Sequence, residues 1–322
     1  MNPFIPQTMQ AAAIDRYGGP EVLQPHVLPV PKPGSKQVLI RLEAAGIGVW
    51  DLDVRAGEFE FGKKGFPKVL GNDGAGIVVA VGDGVERIEI GDRVDDYGFE
   101  GGFYAQYVAV KEDEAAIVPP NLPTDEAGAL GADGVTALIG LEEKLKLRSG
   151  ELLMIFGASG GIGHLAVQLA KRMGARVLGV ASGKDGVELV RRLGADAVVD
   201  GRSGPESVVR AVRSFAPDGL DAALVLASDD ALQQALEGLR KGGRVAHPKG
   251  VEPEPEPPKG IQVTAYDGVP SPEILERLNT WIAAGPFHVE LGGTYPLEEA
   301  AQAHRAVGQH HLGKLALRIH AH

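Results

Sequence analysis

Gly157, Gly160 and Gly163 stand three residues apart between two apolar stretches. Glycine at that spacing does its chemistry through the backbone. Without a Cβ the chain can turn tightly, approach a phosphate closely and let a helix pack against a strand. The stretch ahead, Leu152 to Phe156, is apolar throughout, as expected of a strand buried on both faces. Behind the glycines, Ile162, Leu165, Ala166, Leu169 and Ala170 recur at helical spacing. A strand, a glycine turn and a helix in that order can cradle a pyrophosphate against free N–H groups and the positive end of the helix dipole. The candidate contacts are Gly157, Ala158, Ser159, Gly160, Gly161, Ile162 and Gly163. A glycine-rich turn in a nucleotide-free doubly wound fold is the alternative.

A second strand follows at Arg176 to Ala181. In an NAD-binding unit a carboxylate at its end, roughly 20 residues past the glycines, holds the ribose 2′-OH. Here the strand ends Ala181-Ser182-Gly183-Lys184, and Asp185 reads as the cap of the next helix. A hydroxyl and a cation suit a 2′-phosphate. The expected cofactor is therefore NADPH, with Ser182 as donor, Lys184 as counter-charge and Arg202 as a third partner. A solvated Ser and Lys in an ordinary loop is the competing reading.

The 322 residues suggest two domains, and 44% hydrophobic with 23% charged residues is ordinary for a soluble globular chain. A net charge of −11 with no dense Lys/Arg run argues against a nucleic-acid surface. The absence of cysteine excludes disulfides, thiolate catalysis and thiolate zinc sites. Met1 to Thr8 lacks the features of a signal peptide, and no apolar stretch reaches the roughly 20 residues of a membrane span. The expectation is a cytoplasmic protein acting on a small molecule, with neither nucleic acid nor membrane as partner.

Around the glycine turn, strands are expected at Gln10–Ile14, Val38–Leu42 and Ala75–Val81, giving a β-rich first domain. Pro119 to Pro123 reads as a boundary, with Thr124 capping a helix through Leu130. From there to about 285, strands alternate with helices, the pattern of a parallel sheet and an α/β fold. Its later strands are Ala197–Val199, Leu220–Ala227, Arg244–His247 and Ile261–Tyr266. Its later helices are Pro205–Phe215, Ala231–Arg240 and Pro272–Ala284, the last capped by Ser271. The tail, with a helix at Leu297–Ala306 and a strand at Leu315–Ile319, is assigned back to the first domain.

The ordered set Tyr17-Gly18-Gly19-Pro20, Ala44-Ala45-Gly46-Ile47, Gly91-Asp92-Arg93-Val94, Gly134-Val135-Thr136-Ala137, Gly157 to Gly163 and His311-Leu312-Gly313-Lys314-Leu315 resembles the medium-chain dehydrogenase/reductase superfamily. Among its branches the chain looks most like the zinc-independent quinone oxidoreductases. The resemblance implies a GroES-like β-rich domain from residues 1–120 and 286–322, and a Rossmann doubly wound parallel sheet from 121–285. It also implies NADPH bound with help from Thr136 and Ala227, and a homodimer joined through the Rossmann sheet edge. The zinc-dependent branch has its ligands at positions that here are Gly48, Asn72-Asp73 and roughly Ala132, which do not make a zinc set. His304, His310 and His311 are read as a histidine-bearing surface helix.

The substrate-pocket candidates are Gly48, Trp50, Asp51, Asn72, Tyr97 and Asp133. Trp50 beside a glycine would reshape the pocket floor. Asp51 either orients a polar group or holds its loop by a backbone hydrogen bond, and Asp133 either faces the nicotinamide or caps a helix. Tyr97 and Tyr104 are alternative proton donors beside solvent. The expected reaction is hydride transfer to a quinone or similar activated carbonyl compound. The alternatives are an alkenal or enone reductase and a non-catalytic NADPH-binding protein.

Overall fold

In the computed structural model, which describes residues 4–59 and 65–320, the chain opens with β1 (Thr8–Ile14) and β2 (Leu23–Pro29), paired antiparallel. Then come β3 (Gln37–Ile47), α1 (Val49–Ala56), β4 (Lys68–Val69), β5 (Asp73–Val81), β6 (Arg93–Tyr97), β7 (Tyr107–Lys111), β8 (Ala115–Ile117), α2 (Thr124–Gly128) and α3 (Gly131–Leu138). The alternating elements are β9 (Leu152–Phe156), α4 (Gly161–Arg172), β10 (Arg176–Ala181), α5 (Gly183–Arg192), β11 (Ala197–Asp200), α6 (Pro205–Phe215), β12 (Leu220–Val225), α7 (Asp230–Leu236), β13 (Leu239–Pro248) and β14 (Gln262–Tyr266). The chain closes with α8 (Pro272–Ala283), β15 (Leu291–Pro296), α9 (Ala300–Ala306) and β16 (Lys314–Arg318).

Two compact units result, Met1–Ala132 with Pro270–His322, and Asp133–Val269. Among the described residues, the first holds a sheet in the order β15-β16-β3-β5-β6-β8, with β7 also on β3, and a smaller sheet β2-β1-β4. Ile40, Leu42, Val78, Phe103, Leu315 and Leu317 fill its core. The second unit holds a parallel sheet in the order β11-β10-β9-β12-β13-β14. Relative to β9 that is the doubly wound order 3-2-1-4-5-6, whose ligands sit at the carboxyl ends of the strands where the order reverses. The GroES-like and Rossmann-type architecture read from the sequence is thus present.

The breaks fall at 132/133 and 269/270, where the sequence suggested 120/121 and 285/286. Packing explains the difference. A Cβ at Gly128 of α2 would lie 2.7 Å from the carbonyl oxygen of Ala44, so α2 lies directly on β3. Asn279 of α8 donates to the carbonyl of Ile117 on β8 at 3.0 Å, which draws α8 into the first unit. Pro123, not Thr124, occupies the N-cap of α2. The helix expected to reach Arg240 stops at Leu236, because Leu239 already belongs to β13. Ser271 caps α8 as expected, accepting from Ile274 N–H at 3.3 Å.

Candidate functional site

The glycine turn lies at the C-terminal end of β9, the central reversal point of the parallel sheet. Gly157 has φ +89°, a left-handed value that disfavours any side chain, and a Cβ there would lie 3.2 Å from Leu226 and 3.5 Å from Ala227. Gly163 presses α4 onto the turn, since its Cβ would meet the Gly157 carbonyl oxygen at 2.1 Å. Gly160, the N-cap of α4, is different: its nearest neighbour would be 3.6 Å away, which leaves a cradle open above the turn. Free N–H groups of the first turn of α4 line that cradle. The structure therefore joins Gly157, Ala158, Ser159, Gly160, Gly161, Ile162, Gly163 and Ala227 at one place. Ala227 lies beyond β12, which ends at Val225 rather than at Ala227. Thr136 is buried on α3, its carbonyl accepting the Tyr266 hydroxyl at 3.0 Å.

At the end of β10 the helix cap is Ser182, and Asp185, expected as the cap, lies in the first turn and accepts from Gly186 N–H at 2.9 Å. Ser182 N–H donates to Ser159 Oγ at 3.2 Å, tying the strand end to the glycine turn. Lys184 is exposed beside it. The sequence reading missed a carboxylate here. Parallel register places Asp200, the last residue of β11, opposite Ala181. Its Oδ1 accepts N–H groups of Gly183 at 2.9 Å and Arg202 at 3.0 Å, so it organises both loops. The Arg202 guanidinium comes within 3.2 Å of a Cβ built on Gly183.

In the first unit the segment expected as a loop is the helix α1. Gly48 is its N-cap and Gly57, at φ +83°, ends it. Asp51 Oδ2 accepts Gly48 N–H at 2.8 Å, while Asp51 N–H donates to the Gly48 carbonyl at 3.2 Å. An acidic residue three past the start and a glycine past the end were the sequence signals of this helix. Trp50 is 41% exposed against Phe59 (centroids 5.6 Å apart) and is not among the residues lining the cavity described next, so it does not form that floor.

A cavity of about 340 Å³ opens within this unit, lined by Asp51, Asn72, Lys68, Leu70, Glu100 and Tyr107 among others. That size is within the range of small-molecule sites. Of the pocket candidates it brings Asp51 and Asn72 together. Tyr97 is buried at the end of β6 with its ring edge-on to Phe99, and Asp133 lies in the first turn of α3.

Burial pushes the Asp51 carboxyl up to about 6, with the negative charge of Asp73 adding to the rise. The Gly48 and Tyr104 hydrogen bonds and the Lys314 ammonium oppose it. Tyr104, fully buried, donates to Asp51 Oδ2 at 2.9 Å. His304 is not on a surface: it is 2% exposed, with Nε2 at 3.2 Å from the Tyr104 hydroxyl and Nδ1 at 2.9 Å from Arg55 Nη1. His310, by contrast, is exposed and His311 half-buried.

Asp73 Oδ2 accepts Ala132 N–H at 3.1 Å and lies 4.0 Å from the Lys314 ammonium, both side chains being buried. A Cβ on Gly48 would lie 3.8 Å from that ammonium. The corner where the zinc branch gathers its ligands thus holds a cation from the chain itself. Gly48, Asn72, Asp73 and Ala132 do not fit zinc. No cluster of three or more His, Cys, Asp or Glu able to hold a metal ion occurs among the described residues, and no helix there is long and apolar enough to cross a membrane.

Residues 34–120 match the family described as alcohol dehydrogenase GroES-like domain, and residues 161–257 the family described as zinc-binding dehydrogenase. The quinone oxidoreductase of Mus musculus is 32% identical over 326 residues, covering 96% of this chain and 97% of that protein. Among solved structures, an NAD-dependent alcohol dehydrogenase superposes with a TM-score of 0.86 at 30% identity, over 97% of this chain and 100% of that one. A mycobacterial protein complexed with NADPH superposes at 0.82 with 26% identity, again over 97% and 100%. With whole-length relatives above 30% identity on a doubly wound sheet and its β-rich companion, the chain belongs to the medium-chain dehydrogenase/reductase superfamily, as an oxidoreductase of the quinone oxidoreductase-like branch.

Proposed function

We propose that the protein is a zinc-independent, NADPH-dependent reductase that delivers hydride to a quinone or a similarly activated carbonyl compound. The observation that carries this reading is the buried pairing of Asp73 with Lys314 and Ala132 N–H, in the corner where a catalytic metal would be ligated. An alcohol or simple aldehyde needs its oxygen polarised by a metal ion or a proton donor, whereas a quinone is electrophilic enough to accept hydride without a metal. The bound dinucleotide supplies the hydride, and the chain's own residues bind, orient and exclude water.

The open cradle at Gly160 fits a pyrophosphate, and Ser182, Lys184 and Arg202 fit a 2′-phosphate. Exposed Val263 on β14, one of the two edge strands of the parallel sheet, supports a homodimer through that edge.

The test is NADPH oxidation with a panel of quinones, enones and simple aldehydes, run with and without a strong chelator. Chelator-insensitive turnover of quinones supports the reading. Turnover confined to enones would favour the reductase alternative on the same fold. Zinc-restored activity, or no turnover of any acceptor, would overturn it.

A further inference from the structure

Asp51 and the three side chains behind it form a chain of hydrogen bonds whose direction is fixed by one member. Arg55 has five donors and no acceptor, so its contact with His304 obliges Nδ1 of the imidazole to accept. Burial, with the Arg55 charge beside it, holds His304 down to about 3, so the ring is neutral and carries its hydrogen on Nε2. Nε2–H then donates to the Tyr104 oxygen, which leaves the phenolic hydrogen to point at Asp51 Oδ2. Every donor in the series Arg55, His304, Tyr104 faces toward Asp51.

This series cannot deliver a proton from its far end. Arg55 is not deprotonated at working pH, and burial together with the Asp51 charge and hydrogen bond holds the Tyr104 hydroxyl well above the ordinary tyrosine range. It is therefore an orienting device with a dead end, and the group it orients has one oxygen that no described residue bonds. Asp51 Oδ2 already accepts from Gly48 N–H and Tyr104 Oη. Oδ1 takes no hydrogen bond from the described residues, and Asp51 lines the cavity beside Asn72.

Capping α1 needs only one oxygen. A second, buried donor chain spanning from α1 to α9 is more than a cap requires. Resting on the hydride-transfer reading above, we propose that Asp51 is the proton donor of the reduction, acting through Oδ1, with Tyr104 and His304 as its positioning residues. Hydride addition to a quinone leaves a hydroquinone monoanion. The O–H bond of protonated Asp51 breaks as a new O–H bond forms on the substrate oxygen, and the carboxylate regains a proton from water in the cavity. Quinone, NADPH and one proton thus become hydroquinone and NADP⁺.

The groups that set the Asp51 ionisation come from every side. Gly48 N–H belongs to its own helix, Tyr104 to the segment before β7, Asp73 to β5 and Lys314 to β16. Lys68 and Glu100 face the same cavity. Because the Tyr104 hydrogen bond favours the carboxylate, its removal raises the Asp51 value further.

The test combines pH profiles of quinone-dependent NADPH oxidation with infrared titration of the protonated-carboxyl band in the protein free of cofactor and substrate. The wild type is expected to lose kcat above about pH 6, by roughly tenfold per unit. Asp51→Asn keeps an oxygen for the cap and should lose roughly 100-fold or more in kcat. Tyr104→Phe should move both the infrared titration and the limb of the profile to higher pH, an effect that a purely structural tyrosine would not produce. A pH-independent kcat unchanged in Tyr104→Phe, or a carboxyl that titrates with exposed ones, would overturn the proposal and leave the hydride reading standing. Absence of turnover with every acceptor, alongside an Asp51 band that titrates as expected, would instead sink the hydride reading and the donor role with it.

Discussion

A Cβ placed on Gly163 would lie 2.1 Å from the carbonyl oxygen of Gly157, closer than any real pair of such atoms. Gly160, in the same turn, has nothing nearer than 3.6 Å. Two glycines of one motif are thus required for different reasons, one by the fold and one by whatever fills the cradle. Gly163→Ala is expected to destabilise the protein by about 1–3 kcal/mol, read as a lower urea midpoint. Gly160→Val should keep the wild-type midpoint and lose dinucleotide binding by fluorescence titration. Unchanged affinity in Gly160→Val would show that the cradle does not hold the pyrophosphate.

The proposed preference for NADPH rests on the loop between β10 and α5. NADPH is expected to bind more tightly than NADH by roughly 10- to 100-fold at low salt, since a charge-assisted hydrogen bond is worth about 1.5–3 kcal/mol. The gap should narrow as ionic strength rises. Ser182→Asp should erase it by repelling the phosphate. Arg202→Ala should weaken NADPH and leave NADH nearly unchanged. Equal dissociation constants in the wild type would mean that this loop does not read the phosphate, and tighter NADH would mean that Asp200, held opposite Ala181, serves a ribose diol instead.

Lys314 stands where the sequence offers no replacement for it. Taking away one partner of a buried ion pair leaves the other charge uncompensated, a loss on the order of 3–5 kcal/mol where the pair is close. At 4.0 Å, and with Ala132 N–H still bonded to Asp73, Lys314→Met should fall at or below the lower end, about 2–3 kcal/mol by denaturant unfolding. Lys314→Met with Asp73→Asn should recover part of it, because the orphan charge is gone.

Asp96 on β6 is buried with neither carboxylate oxygen hydrogen-bonded among the described residues. Burial, followed by repulsion from Glu114, Asp95 and Asp73, holds its carboxyl well above the ordinary value. The folded state therefore keeps a proton that the unfolded chain has released, and stability falls as pH rises from the unfolded value near 4 up through the folded one. Thermal midpoints should decline from pH 5 to pH 8. Asp96→Asn should flatten part of that decline and gain a few degrees at pH 8. An identical slope in the variant would remove Asp96 as a source of it.

What the sequence made legible was what lies close along the chain. The glycine turn was readable because its strand, turn and helix are consecutive, and α6 because Pro205 and Phe215 bound a clean helical period. The helix α1 was missed because its 8 residues are too short a run to show a clear helical period, although Asp51 and Gly57 marked its two ends. His304 was misjudged as a surface residue because its partners, Tyr104 and Arg55, lie 200 and 249 positions away. Asp200 escaped notice because only the register of β10 against β11 carries it to Ala181. Long-range register leaves no local signature in composition or periodicity.

The place of β16 has a consequence for how the chain is made. Its residues Leu315 to Arg318 hydrogen-bond along β3 from Ile47 to Ala44, more than 260 positions earlier. The second unit is a single continuous stretch, Asp133–Val269, and can close while the ribosome is still translating. The first unit must wait with one side of β3 uncovered, and with Asp73 lacking its ammonium partner, until codon 314 and those after it have been read. A ribosome stalled shortly before that point would release a chain with a finished nucleotide-binding half and an adhesive, unsealed sheet beside it. Quality control of this protein is therefore expected to act on the arrival of β16.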